Sequence, residues 1–191
     1  MPKHLTGNRV WPWLGVVAVL ALTTFLLRSE GRLWICACGH FSLWAGQVCS
    51  SENSQQFLDP YSFTHLLHGL GYFWLIAWLL PRLSPSWRLW LAITLASMWE
   101  VFENSNFIID RYRADTAALG YAGDTIVNSL GDILCGVVGF VVAQRLGFRR
   151  SLILFFLLEF MLLVWIRDSL LLEILMLIHP IEAIKTWQLC R

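Results

Sequence analysis

Three short stretches carry residue types that can do chemistry, at helical spacing. His65, His68 and Tyr72 are three and four residues apart, so on a helix they share one face. Glu100, Glu103, Asn104 and Phe107 follow the same rule, and Asp124, Asn128 and Asp132 form an i, i+4, i+8 line. Imidazoles facing carboxylates are the materials of general acid–base catalysis. They also suit a divalent zinc, iron or manganese ion, with His65, His68 and Glu103 as candidate ligands. A plainer reading makes the histidines interhelical ties to Glu100 or Glu103, and Asn104 and Asn128 packing glue.

The elements that must position these groups are strongly apolar. Of 191 residues, 57% are hydrophobic and 14% charged, against about a quarter charged in an ordinary soluble domain. Apolar runs predict an all-α, polytopic transmembrane helix bundle with spans at 10–27, 62–80, 88–109, 123–146 and 151–166. The first span is expected to be an anchor and not a cleaved signal. A Cys-containing periplasmic loop follows at 28–60, and a C-terminal interfacial or re-entrant helix at 169–187. The composition holds no basic nucleic-acid surface and no low-complexity tract.

Basic residues favour the cytoplasmic side of a span. Lys3 and Arg9, Arg82 and Arg88, and Arg145, Arg149 and Arg150 fall on one side if each run crosses once, which places the N-terminus in the cytoplasm. Arg111 and Arg113 then lie on the far side, against the rule. In this topology the three polar stripes enter from the outer face and reach similar depths, roughly 5 to 14 Å at 1.5 Å per residue. One shared polar layer is expected in the outer half of the bilayer, since a carboxylate facing lipid costs about 3 kcal/mol. Gly131, Cys135 and Gly139 offer a small-residue face for close helix approach. Glu159 has no polar neighbour at helical spacing and is expected to have a structural partner. Trp11, Trp13, Trp34, Trp87 and Trp165 sit where interfacial anchors belong.

Cys36, Cys38, Cys49 and Cys190 fall in an oxidising compartment under the same topology and are disulfide candidates. The alternative for Cys36-Ala37-Cys38-Gly39-His40 is a metal site, though no second ligand cluster of zinc spacing follows.

The ordered motifs CACGHFSLWAG, SENSQ, DPYSFTHLLHG, WEVFEN, IIDRYR, YAGDTIVNSLGD and PIEAIKTWQ resemble an uncharacterised family of multi-pass inner-membrane proteins, mostly alphaproteobacterial. The resemblance implies an inner-membrane location and no established activity. It highlights Cys36, Cys38, Ser54, Gln55, His65, His68, Glu100, Glu103, Asn104, Arg111, Tyr112, Arg113, Asp124, Asn128 and Asp132. The chain departs from the family pattern at Gln56 and at Asp168–Glu173, so the resemblance assigns them no role. A His-containing span, an acidic span and a D-x-x-x-N-x-x-G-D helix are more distantly similar to VanZ-like membrane proteins, which are associated with glycopeptide-antibiotic tolerance and the cell envelope.

Three functions compete. The first is a membrane enzyme or binding site for an envelope lipid or lipid-linked precursor, with His65, His68, Glu100, Glu103, Asn104, Asp124, Asn128 and Asp132 at its centre. Arg111, Tyr112 and Arg113 would hold the headgroup, the arginines by bidentate hydrogen bonds. The second is a non-catalytic scaffold or assembly factor. The third is a proton-coupled transporter, which a polar layer confined to one leaflet and the lack of an internal repeat disfavour.

Overall fold

A computed structural model describes residues 10–116 and 120–189, and among them every regular element is an α-helix. They are α1 (Trp11–Ser29), α2 (Ser62–Leu79), α3 (Pro85–Glu103), α4 (Asn106–Asp115), α5 (Ile126–Ile166), α6 (Leu170–Ile178) and α7 (Glu182–Gln188). Of these, α1 and α5 are long and apolar enough to cross a membrane. α2 and α3 have 18 and 19 residues, but polar side chains interrupt them. Lys3, Arg9 and Cys190 lie outside the described residues.

α5 has two arms. Gly147 sits inside it at φ 74°, a left-handed conformation that glycine adopts without Cβ strain. The arm before Gly147 runs parallel to α2: Ser62 meets Asp132, and Phe73 meets Phe140. The arm after it runs back: Trp74 bonds Ser151, Phe63 packs on Trp165, and Tyr61 bonds Asp168. Residues 147–150, expected as a connection between two spans, are therefore a sharp helical reversal. Leu67, Leu70, Ala143, Phe155 and Leu162 fill the core between α2 and the two arms. α1 lies across α3, with Val16, Val19 and Leu20 against Ile93 and Ala96.

Close approach depends on glycine, as the small-residue face predicts. A Cβ on Gly139 would overlap the Leu66 carbonyl, and one on Gly69 the Gly136 carbonyl. Gly131 presses equally close on the Phe57 carbonyl.

Two expected boundaries move. The apolar pattern carries the third span to 109, but α3 stops at Glu103 with Asn104 as its C-cap. Ser105 is extended (ψ 147°) and α4 restarts at Asn106, so Phe107 leaves the face of Glu100 and is exposed. Asn and Ser side chains compete for backbone groups and favour such ends: Asn104 donates to the Glu100 carbonyl at 3.1 Å and Ser105 to that of Phe102 at 2.6 Å. The C-terminal helix is also two pieces, α6 and α7, separated at His179-Pro180, where proline has no N–H to continue the first.

The loop between α1 and α2 has no helix of its own and is sewn onto the start of α5. Ile126 and Val127 donate to the carbonyls of Leu33 and Trp34, at 2.8 and 3.2 Å. Thr125 donates through its N–H to the Ser54 carbonyl and through its hydroxyl to that of Gln55. The orphan N–H groups of a helix start are thereby satisfied by the loop's own backbone. Gln56, which the family pattern leaves without a role, is wholly buried and accepts from Ser42 N–H at 2.7 Å.

Polar residues are buried beside the apolar core, and large apolar side chains are exposed. Glu100, Asn104, Gln56, Asn128 and Asp132 are buried, whereas Val17, Phe25, Trp78, Met98, Phe160 and Val164 are each more than 60% exposed. The five tryptophans expected as anchors are exposed as well.

Candidate functional site

α2, α3 and α5 bring His65, Glu100, Glu103 and Asp132 together, although 67 residues separate the first and last in sequence. His65 Nδ1 lies 3.1 Å from Glu100 Oε1, and its Nε2 lies 3.9 Å from Glu103 Oε2 and 3.8 Å from Asp132 Oδ2. Asp132 accepts from the Ser62 hydroxyl at 2.7 Å, and Glu103 from the Tyr112 hydroxyl at 3.0 Å. Both Glu100 oxygens are buried without a hydrogen-bond partner, His65 being the ion-pair neighbour, and Glu103 Oε2 also lacks one.

Asp124 precedes α5 and is not on its helical line, because Thr125 is the N-cap. It still reaches the cluster's edge, accepting from Asn104 Nδ2 at 2.8 Å and from the Tyr121 hydroxyl at 3.0 Å. Asn104 and Asn128 behave as glue: Asn128 donates to the Gln56 carbonyl at 2.8 Å. Glu159 is structural too, accepting from Leu171 N–H at the start of α6 at 3.3 Å.

Above the cluster opens a cavity of about 630 Å³. His65, Glu103, Asp124 and Asp132 line it from the helices, Ser54, Gln55 and Tyr61 from the loop and the start of α2, and Tyr112 and Tyr121 from α4 and the segment after it. Asp168, Glu173, Met176 and Gln188 close the remaining side.

Several expected site residues stand elsewhere. His68 does not join the ligand group; its ring packs on Tyr72, Trp99 and the edge of His65, and its Nδ1 is buried without a partner. Glu100 takes its place: one nitrogen of His65 and one oxygen each of Glu100 and Glu103 lie within 4.8 Å of one another. Arg111 and Arg113 do not line the cavity. Arg111 donates to the Leu177 carbonyl and pairs with Asp115, while Arg113 donates to the Tyr121 carbonyl. Both charges are thus used to hold α4 against α6 and the following segment, and only Tyr112 of that trio faces the cavity.

Two acids left without a role by the sequence pattern support the site, Asp59 from behind and Asp168 in the cavity wall. Asp59 is buried and accepts from Ser54 N–H and Tyr61 N–H, each at 2.7 Å, which sets the entry to α2. An Asp just before a helix is a recognisable turn and capping signal, and Asp59-Pro60-Tyr61-Ser62 carries it. Asp168 accepts from the Tyr61 hydroxyl at 3.3 Å, and burial pushes its carboxyl up to about 7.

Cys36 and Cys38 are joined by a disulfide, which removes the two thiols the metal reading of that motif requires. His40 instead pairs with Glu52 at 3.3 Å. Cys49 is also disulfide-bonded, and Cys135 is free.

The model of a family described as "Protein of unknown function (DUF2585)" matches residues 27–190. Relatives described as UPF0314 proteins include one from Paracoccus denitrificans, 43% identical over 190 residues, covering 98% of this chain and 97% of the relative. One from Sphingopyxis alaskensis is 44% identical over 176 residues, covering 92% and 94%, and one from Brucella anthropi is 40% identical over 173 residues, covering 91% and 88%. No solved structure matches. By the extent of the family match and the coverage of these alphaproteobacterial relatives, the chain belongs to the uncharacterised DUF2585/UPF0314 family.

Proposed function

We propose that this protein is a multi-pass inner-membrane protein whose outer-half cavity binds the polar part of an envelope lipid or lipid-linked precursor. Five crossings are supported by α1, α2, α3 and the two arms of α5, with α6 and α7 lying over the outer end. The exposed apolar side chains favour lipid around the bundle, because large exposed apolar surface is rare in water-soluble monomers. The observation that carries the ligand reading is the cavity itself, with His65 between three carboxylates at its base.

The lining narrows the ligand. Glu103, Asp124, Asp132, Asp168 and Glu173 face the cavity, and its described lining contains no Lys or Arg. A phosphate held on its own would meet carboxylates, whereas hydroxyl or amine groups would find acceptors and tyrosine rings. We therefore favour a hydroxyl- or amine-bearing headgroup. His65, flanked by Glu103 and Asp132, stands at the base of the cavity where it meets such a group.

The test is native mass spectrometry of the protein in mild detergent, with lipid analysis of a deletion strain. A co-purifying lipid that also accumulates in the deletion strain supports the reading; a lipid-free protein and an unchanged lipid profile overturn it. The second reading, a scaffold, draws on the wholly structural bonding of Asn104, Asn128 and Gln56. It predicts that His65→Asn lowers abundance and phenotype together.

A further inference from the structure

Glu100 poses a problem that ligand binding in the cavity does not solve. It is 0% exposed, does not line the cavity, and neither carboxylate oxygen has a hydrogen-bond partner. A buried carboxylate left in this way costs far more than it returns unless a cation or a proton meets it. Glu103 lies one helical turn away with its Oε2 in the same condition. The groups facing them are His65 from α2, Asp132 and Ser129 from α5, Asp124 from the preceding segment and Tyr112 from α4; none is a Lys or Arg.

We infer that His65, Glu100 and Glu103 hold a divalent metal ion. Their donor atoms lie within 4.8 Å of one another, so side-chain rotation that closes the widest gap by about 1 Å would bring them to the separations around an ion bound at about 2.0–2.2 Å. The imidazole presents Nδ1 on the Glu100 side, 3.1 Å away. Its Nε2 lies 3.8 Å from Asp132 and 3.9 Å from Glu103; with Glu103 turned to the ion, Asp132 is left to orient the ring, as a second partner does for many metal-bound histidines. One imidazole and two carboxylates favour manganese, iron or zinc over sites built from thiolates. Two of the three ligands, His65 and Glu103, also line the cavity, so an open coordination position faces whatever enters it. The inference does not depend on the identity of the cavity's ligand.

The test is elemental analysis of protein purified without chelator, followed by Co²⁺ titration of chelator-stripped protein. About one ion of manganese, iron or zinc per chain is expected, with Co²⁺ giving visible absorption bands and a raised thermal midpoint. Glu100→Gln and His65→Asn should each lower retained metal by about tenfold or more, whereas Glu52→Gln, outside the cluster, should retain it. If the buried variants do not fold, the Co²⁺ titration of the unaltered chain decides. Purified protein with no metal above a detergent blank, no Co²⁺ bands and no thermal shift overturns the site, as does undiminished metal in folded Glu100→Gln and His65→Asn. Lipid retention in the metal-free protein leaves the cavity reading standing, so the two proposals fail separately.

Discussion

Asn104 and Asp124 exchange two hydrogen bonds: the Asn104 amide donates to Asp124 Oδ2 at 2.8 Å, and Asp124 N–H donates to Asn104 Oδ1 at 2.7 Å. The end of α3 is thereby fixed to the segment that opens α5. Asn104→Leu removes both bonds and leaves a buried N–H and a carboxylate oxygen unpaired. We expect a loss of about 2–4 kcal/mol, read as a lower thermal midpoint in detergent. Asn104→Asp should also destabilise, because two carboxylates would then face each other. An unchanged midpoint in both variants would show that this pair does not tie the helices.

Glycine positions separate packing from mere conservatism of size. Gly139→Ala drives a methyl into the Leu66 carbonyl, a backbone atom that can move only with α2. The expected cost is about 1–3 kcal/mol, seen as reduced folded yield. Gly71→Ala, with open space around its Cβ position, should behave like the parent protein. Equal yields of the two variants would contradict the close approach of α2 and α5.

Asp168 supplies a pH dependence. Burial holds its carboxyl up at about 7 against an ordinary 3.8, opposed by the Tyr61 hydroxyl, the Gln188 side chain and Ser169 N–H, and reinforced by Glu159. The folded state keeps a proton that the unfolded chain has released, so stability falls as pH rises from about 4 to about 7, then levels. Thermal midpoints of the parent should decline across that window more steeply than those of Asp168→Asn. Parallel profiles would remove Asp168 as the source.

Sidedness can be read chemically. In a Cys135→Ala background, Ser51→Cys should react with a membrane-impermeant maleimide in intact spheroplasts, and Arg149→Cys only after lysis. The reverse pattern would invert the orientation expected from Arg82, Arg88, Arg145, Arg149 and Arg150.

Much of the site was legible because helical spacing and depth are local quantities. His65, Glu100, Glu103 and Asp132 lie on three different helices, yet the expected depths of their stripes coincide, and the structure joins them at 3.1 to 3.9 Å. What was not legible depends on direction or on distant chain. His68 has the same spacing credentials as His65 but stacks on Tyr72 and packs at a tilt against Trp99. Asp168 and Glu173 lie far along the chain, and only the reversal at Gly147 returns them to the cavity. The stop of α3 at Asn104 was hidden because apolar residues continue past it, while the side-chain bonds that end the helix leave no mark on hydropathy.

The loop sewn to α5 sets an order of events during synthesis. Leu33, Trp34, Ser54 and Gln55 present carbonyls whose donors lie at Thr125, Ile126 and Val127. Until that later stretch has emerged, the loop has no fixed shape to adopt from these bonds, and the tyrosine-lined chamber has no roof. Long-range contacts of this kind form late, because the intervening chain must first be closed. A chain ending before Thr125 would therefore lack the donors that hold this loop, and the loop would be open to proteases that the finished fold resists.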